Sequence, residues 1–571
     1  MAVAPVDEVE YGEVFTRRWV VETILDLVGY TADADVSSKT LVEPSVGSGA
    51  FLVPIIERLV ASAALHGVPL ATLTSAVRGY DLQADHVKTS RERIASVLES
   101  AGASRDVADE LAKTWIHHAD YLLDESGLQA DFVVGNPPYI RTEDLDDDQE
   151  ATYRDRWKTM KGRADIFVGF YERSLTILRP GGRLGFICAD RWMRNQYGSA
   201  LRALIGDRFA VETLWQMHDV DAFEAEVSAY PAITVLSNSQ QGHVTVLETN
   251  STFDRSDAIE AIKFVQSEDA QNSGDGWSGA RLSNWFKGPE LWPAGGPERI
   301  RLLEKLAERF PTLEETGGDT KIAIGLATGA DAAYIVDADG DTDVEPDRLL
   351  PLVMSDDVRS GRLSNPAKAL INPWDAQGNL VELSRYPRME KALLAHPAVL
   401  SRYVARKNPK AWHRTIDKVN PGVAQKPKLL LQDMKAQITP VLEPGGYYPH
   451  HNLYYVTSTG WDLEVLGGLL LSRIAQAFIE SYGVRMRGGT LRFQAQYLRK
   501  IRVPAPESIK PEIASRLKEA FRSRDRDAAT VAAEMAYELH ESSLVEPPPQ
   551  LLLMPEDRSH PYGARAPRSA Y

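Results

Sequence analysis

The apolar positions of the first ~245 residues change period repeatedly. Residues 17–28 repeat their apolar side chains every three to four positions, which predicts an amphipathic helix. Residues 40–42 form a short apolar run that enters a glycine turn, and helical spacing returns over 51–64. Strands are predicted at 77–80, 131–134, 185–188 and 232–236, with a helix over 83–100. Strands alternating with helices predict an α/β, doubly wound, mostly parallel sheet within 1–245. A polar stretch, 246–281, reads as a linker or extension. From about 282 to 505 short strand-like runs (332–336, 429–431, 453–456) mix with turns and one long apolar helix over 463–481, the pattern of an α+β domain. Residues 506–545 read as a charged helical segment, and the Pro/Arg/Ser-rich 546–571 as a disordered tail.

Composition narrows this picture. Of 571 residues, 43% are hydrophobic and 25% charged, enough apolar material for more than one core. The single cysteine, Cys188, lies in an apolar run and reads as core; it leaves no basis for a disulfide framework or Cys-rich zinc site and fits a cytoplasmic chain. No run is long and apolar enough for a membrane span, so no membrane partner is expected. A net charge of −16 argues against nucleic acid, but the basic residues are segregated. Nine Lys or Arg lie between 401 and 435 against Asp417 and Asp433, and six lie between 481 and 502 with no acid. Two solvated basic faces or a polyanion-binding surface would both look like this.

The chemistry-bearing segments sit at predicted strand ends. Glu43-Pro44-Ser45-Val46-Gly47-Ser48-Gly49 follows one strand and opens a helix; glycines there let the backbone approach a ligand. The next strand ends in Asp81, where a carboxylate can accept ribose hydroxyls. The dinucleotide pattern Gly-x-Gly-x-x-Gly is absent, which favours a nucleoside ligand. His118-Ala119-Asp120-Tyr121 precedes a further turn. Alone, each piece is better explained by a structural loop; in this order they support one another. The sharpest signal is Asp131-Phe132-Val133-Val134-Gly135-Asn136-Pro137-Pro138-Tyr139. Two prolines fix the backbone and leave carbonyls without competing N–H groups. The Asn136 amide adds a second acceptor, suited to an –NH2 donor, and Tyr139 offers a face for stacking. The bland alternative is a strand-ending Asn-Pro turn.

At these residues the chain resembles gamma-group N6-adenine DNA methyltransferases of restriction–modification type, in which a class I methylase domain precedes a target-recognition domain. The resemblance implies S-adenosyl-L-methionine as cofactor and double-stranded DNA as partner, with a separately encoded restriction endonuclease as a further partner. It makes Asn136, Pro137, Pro138 and Tyr139 catalytic. Phe15 and Thr16 become the N-terminal cofactor motif, although Arg17 stands where the family has Pro. Glu43, Pro44, Gly47 and Gly49 would line the methionine moiety, and Asp81 would bind the ribose. Asp120 and Tyr121 would meet the cofactor adenine, as would Phe170 in Lys161-Gly162-Arg163-Ala164-Asp165-Ile166-Phe167-Val168-Gly169-Phe170; Pro138 also joins the cofactor set. Phe223 would stack with Tyr139 on the flipped base; otherwise it and Phe170 are core aromatics. No metal is expected.

Residues 325–331, 426–429 and 486–493 resemble segments of target-recognition domains. On that likeness Arg406, Lys407, Lys410, Arg414, Lys428, Arg487 and Arg492 are expected at DNA. Glu143 to Glu150 reads as a solvated loop. Four alternatives remain at this level: an N4-cytosine enzyme (where Ser usually replaces Asn136), an RNA or protein-glutamine methylase, a bifunctional restriction enzyme using Asp433-Met434-Lys435, and an inactive DNA-binding scaffold.

Overall fold

The structure, a computed structural model, describes residues 16–217, 220–224, 231–283, 285–340, 342–484 and 490–539. Ten strands of the first half form one sheet: β1 Leu41–Glu43, β2 Val77–Asp81, β3 Ile116–His118, β4 Ala130–Gly135, β5 Leu178–Ala189, β6 Ala210–Gln216, β7 Pro231–Ser237, β8 Val244–Thr249, β9 Gln271–Ser273 and β10 Trp277–Leu282. Their order is β3-β2-β1-β4-β5-β7-β6-β8-β10-β9. From β3 to β5 all neighbours are parallel. β7 inserts antiparallel between β5 and β6.

Both faces of this sheet are covered, which is why its central strands read as unbroken apolar runs. Val134 and Ile187 face a core built with helices α1 (Arg18–Val28), α2 (Leu52–His66), α3 (Ala84–Ser100) and α4 (Arg105–Trp115). Their neighbours Val133, Phe186 and Cys188 face the opposite core, with α5 (Asp147–Arg156) and α6 (Phe167–Thr176). The strand order reverses between β1 and β4, so a crevice opens at their carboxyl ends.

The stretch 246–281 extends the sheet. β8, β9, β10 and the helix Arg255–Gln266 carry it outward from β6. β9 is the edge strand and fully exposed, hence its polar sequence.

The second half carries β11 Lys321–Ile324, β12 Ile335–Asp337, β13 Leu349–Val353, β14 Lys368–Ile371, β15 Lys428–Gln432, β16 Met434–Lys435, β17 Val441–Glu443, β18 Tyr448–Pro449, β19 Leu453–Thr457 and β20 Leu491–Arg492. They form sheets β11-β19-β15-β17, β12-β14-β13-β18 and β16-β20. The strand expected at 332–336 begins only at Ile335, because a helical turn, Asp331–Tyr334, occupies its first positions. The helix expected over 463–481 is two, Leu463–Leu471 and Arg473–Tyr482. Between them Ser472 is extended and its hydroxyl accepts from the Ala475 N–H, capping the second. Gly467 and Gly468 let the first helix meet Pro511–Ser523 closely: a Cβ on either would lie 2.5 Å from Phe521 or the Leu517 carbonyl. These helices and Arg526–Ala536 share one core with β11, β15 and β19.

Candidate active site

The turn after β1 owes its shape to two glycines in the left-handed region, Gly47 (φ 50°) and Gly49 (φ 93°). The Gly47 N–H donates to Asp81 Oδ2 at 2.9 Å, and the Gln83 N–H donates to Oδ1 at 2.9 Å. Ser90 Oγ donates to the Gly47 carbonyl at 2.8 Å. Asp81 at the end of β2 thus ties the glycine turn to the start of α3. Glu43, at the end of β1, is 1% exposed, and its Oε2 is buried with no hydrogen-bond partner. Burial, then the charge of Asp81, pushes its carboxyl well above the usual range. A buried carboxyl oxygen without a partner, at the carboxyl end of β1, matches a cationic ligand group.

Beyond β3, Asp120 accepts from the Leu122 N–H at 2.8 Å and from the Tyr153 hydroxyl at 2.6 Å. Tyr121 is 2% exposed. Its ring packs between Tyr80 (5.3 Å between centroids) and Phe170 (5.5 Å), and the Arg173 guanidinium lies 4.6 Å from its centroid. Its hydroxyl bonds Ser174 at 2.9 Å. Phe170 is likewise buried. Tyr121 is therefore a core ring that backs the site.

Beyond β4, Asn136 Nδ2 donates to Thr16 Oγ1 at 3.2 Å. That bond sets the sense of the amide and directs Oδ1 away from Thr16. Thr16 pairs its backbone with Phe223 across an isolated bridge. Tyr139 meets Phe223 edge to face, with centroids 6.4 Å apart and planes at 84°, and meets Phe167 at 6.4 Å and 62°. The Tyr139 hydroxyl is buried without a hydrogen-bond partner, and burial raises its pKa well above the usual value. Phe223 is 5% exposed. Because the two rings meet at right angles, one must turn before a flat ligand can lie between them.

The three groups adjoin. A Cβ on Gly135 would lie 3.4 Å from Pro44 Cδ and 3.8 Å from Glu43 Cγ, so the β4 turn rests on the β1 turn. The Ala119 N–H donates to the Asp81 carbonyl at 3.0 Å, joining the β2 and β3 ends. Thr16, Glu43, Pro44, Gly47, Gly49, Asp81, Asp120, Asn136, Pro137, Pro138 and Tyr139 thus stand along one edge of the sheet. Phe15 and Arg487 lie outside the described residues.

Sequence reading missed two supporting groups. Tyr153 lies in α5, where a solvated loop was expected over Glu143 to Glu150. Asp146 caps that helix by accepting from the Gln149 N–H, a signal the acidic run concealed. The backbone of residues 140–142 pairs with 164–166, bringing the buried Asp165 beside the turn, where Tyr197 donates to it at 3.0 Å. Burial raises the Asp165 carboxyl above the usual range.

The expected DNA contacts divide. Arg406, Lys407 and Lys410 are exposed, and Arg414 is half-buried with its guanidinium 5.9 Å from the Trp374 ring centroid. Lys428 is corrected: it is fully buried, its ammonium paired with Glu443 and donating to the Tyr447 carbonyl at 3.1 Å. Arg492 pairs with Asp433, and Lys435 donates to the Arg359 carbonyl at 3.0 Å. Among the described residues no helix is long and apolar enough to cross a membrane.

Residues 68–223 match the family model "Eco57I restriction-modification methylase". The chain is 41% identical over 539 residues to the type II methyltransferase M.XhoI of Xanthomonas vasicola, covering 93% of this chain and 98% of that one. It is 42% identical to the type II methyltransferase M.PaeR7I of Pseudomonas aeruginosa, covering 92% of each. Among solved structures, the type IIL restriction-modification enzyme MmeI, determined in complex with DNA, superposes with a TM-score of 0.56 at 12% identity, over 92% of this chain and 74% of that one. That likeness extends the shared fold into the second half.

Proposed function

The chain belongs to the type II methyltransferases of restriction–modification systems, and on that premise we propose that it methylates the N6 amine of adenine at a specific site in double-stranded DNA. The observation that carries this reading is the Asn136–Thr16 contact beside the Tyr139–Phe223 pair, at the strand ends where Glu43, Asp81 and Asp120 converge.

S-adenosyl-L-methionine fits these residues: Glu43 offers a buried acceptor to a cationic group, and the glycine turn lets a ligand approach the backbone. Glu43, Pro44, Gly47 and Gly49 would hold its methionine end with Thr16 and Phe15, Asp81 its ribose, and Asp120 and Pro138 its adenine, with Tyr121 and Phe170 behind. When bound, it supplies an electrophilic methyl on a sulfonium.

The protein's own part is electrostatic and positional. An adenine amine is a weak nucleophile because its lone pair is delocalised into the ring. The Asn136 side-chain oxygen and the Pro137 carbonyl accept from its two N–H groups, so charge developing on nitrogen meets fixed acceptors. Thr16 holds the amide in that sense. The two prolines fix the turn, so little reorganisation accompanies reaction. The target base must leave the duplex first, and stacking on Tyr139 and Phe223 offsets part of that cost, about 1–3 kcal/mol per base. The exposed Arg406, Lys407 and Lys410 contact phosphate, and a separately encoded endonuclease shares the recognition sequence.

The test is transfer of labelled methyl from S-adenosyl-L-methionine into duplex DNA, RNA and protein, followed by nucleoside analysis. N6-methyladenine from DNA is expected. N4-methylcytosine, or label confined to RNA or protein, overturns the proposal.

A further inference from the structure

The second half brings together three metal-ligating side chains that methyl transfer does not use. Asp331 follows the loop 325–330 as the first residue of the helical turn Asp331–Tyr334, and His450 and His451 follow β18. Backbone bonds hold the two segments together. The Leu326 N–H donates to the Pro449 carbonyl at 2.9 Å and the His451 N–H to the Leu326 carbonyl at 3.0 Å. The His450 N–H donates to the Val353 carbonyl at 3.1 Å. Gly325 permits the approach: a Cβ there would lie 2.2 Å from the His450 carbonyl oxygen.

The side chains converge on one nitrogen. Asp331 Oδ2 lies 3.1 Å from His450 Nε2, and His451 Nδ1 lies 3.0 Å from the same Nε2. Ligand atoms of all three fall within 4.8 Å of one another. Thr328 Oγ1 donates to Asp331 Oδ1 at 2.5 Å, which orients the carboxylate and points Oδ2 at His450. His450 is 2% exposed and its Nδ1 is buried without a partner, so its side-chain polar contacts are made at Nε2.

Proton bookkeeping does not satisfy this arrangement. If Nε2 carries a proton, it can give a linear hydrogen bond to Asp331 or to His451, but not to both. If Nε2 carries a lone pair, His451 can donate to it, but the Asp331 carboxylate then faces that lone pair. A single cation receives electron pairs from all three. Donors about 3 Å apart fit one ion about 2.0–2.2 Å from each, and a two-imidazole, one-carboxylate set suits divalent first-row transition metals.

We propose that Asp331, His450 and His451 bind one Zn2+-class ion through a carboxylate oxygen, Nε2 and Nδ1, with water completing the shell. Asp331 is part-exposed and His451 half-buried, so the site is open to the ion from solvent. The ion locks the loop 325–331 to the turn before β19. That loop in turn holds the basic segment: Arg402 Nη1 donates to the Thr328 carbonyl at 2.7 Å, and the Ala327 N–H donates to Asp417 Oδ2 at 2.9 Å. The site therefore stands behind the surface that displays Arg406, Lys407 and Lys410.

The test uses the full chain, stripped with chelator and titrated with Co2+ as a visible probe. One Co2+ per chain with four-coordinate absorption bands, displaced by Zn2+, is expected. Asp331→Asn and His451→Ala should each weaken Co2+ binding at least about 100-fold, beyond the loss typical of an outer-shell change. In chelator both variants should keep the wild-type circular dichroism spectrum and resistance to proteolysis, which report that the second half folds; should either fail to fold, His451→Gln takes its place. Zn2+ should raise the melting temperature of the wild type and not of the variants. No binding by the wild type, or undiminished binding by both variants, overturns the proposal.

Discussion

The two halves of the molecule place their polar groups by different rules. In the first, side chains with chemistry stand at the carboxyl ends of parallel strands, so position along the chain predicts position in space: Glu43, Asp81, Asp120 and Asn136 each follow a strand and share one edge. In the second, charge along the chain is a poor guide to charge in space. The stretch 481–502 holds six basic residues and no acid, yet Arg492 meets Asp433, Arg499 meets Glu314, Lys500 meets Glu290 and Arg502 meets Glu315. Its acidic partners arrive from 59 to 210 residues away. The stretch 401–435 instead leaves Arg406, Lys407 and Lys410 exposed while burying Arg402 and Lys428. A patch for a polyanion is defined by the basic groups left over once internal pairs are made.

The largest expected effect tests that distinction at Lys428. Its ammonium and the Glu443 carboxylate are both fully buried, and burial holds the lysine pKa down. Lys428→Met leaves Glu443 charged and unpaired, which should cost about 3–5 kcal/mol of stability. Lys428→Met combined with Glu443→Leu should recover most of that loss in a denaturant titration. An unstable double variant would mean that the pair does more than neutralise itself.

Asn136 tests the other half. Asn136→Ala should lower methylation at least about 100-fold, the scale of removing one preorganised polar contact to developing charge. Cofactor binding should persist, because Glu43, Asp81 and Asp120 are untouched. Equal loss of both would make Asn136 a structural residue of the turn.

How much could be read beforehand follows from the same contrast. The central strands were legible because burial on both faces makes them continuously apolar, and the turn after β4 because two consecutive prolines end a strand. β9 was not, since an edge strand facing water carries polar residues, as Gln271–Ser273 does; β8 and β10 are largely buried, but their Thr, Glu, Ser, Gly and Arg residues interrupt the apolar pattern. Tyr153 lies just past the acidic run 143–150, whose cap, Asp146, looked like one more charge of a loop, so the helix that carries Tyr153 was not seen. The Asp331–His450–His451 cluster joins residues 119 apart and has no spacing signal at all.

Glu43 sharpens the comparison from the side of pH. Burial, reinforced by Asp81, raises its folded pKa well above its unfolded value. The ionised folded form therefore costs stability at neutral pH, and the cost is relieved as pH falls through the raised folded pKa towards the unfolded one. Glu43→Gln should stabilise the cofactor-free protein at pH 7, lose that advantage in mildly acid solution, and weaken S-adenosyl-L-methionine binding. Buried Lys428 bears a cost of the same kind, which Glu443 offsets only in part, so its pKa is held down as that of Glu43 is held up. A Glu43→Gln protein no more stable at pH 7 would mean that the carboxyl is not strained.

The smallest effect is the most telling about the second half. Lys407 is exposed, with its ammonium 5.7 Å from the ring centroid of Tyr403, itself 67% exposed. Among the described residues that charge makes no ion pair, so Lys407→Ala should shift stability by no more than about 0.5 kcal/mol. If the residue meets DNA phosphate, the slope of log affinity against log salt should shrink by about one, with little change in sequence preference. Adding Arg406→Ala and Lys410→Ala should shrink it further in steps. The same substitutions at Arg499 and Lys500, whose charges Glu314 and Glu290 already answer, should leave the slope unchanged. An equal slope change in both sets would mean that the internal pairs open on DNA, and that the exposed remainder does not define the surface.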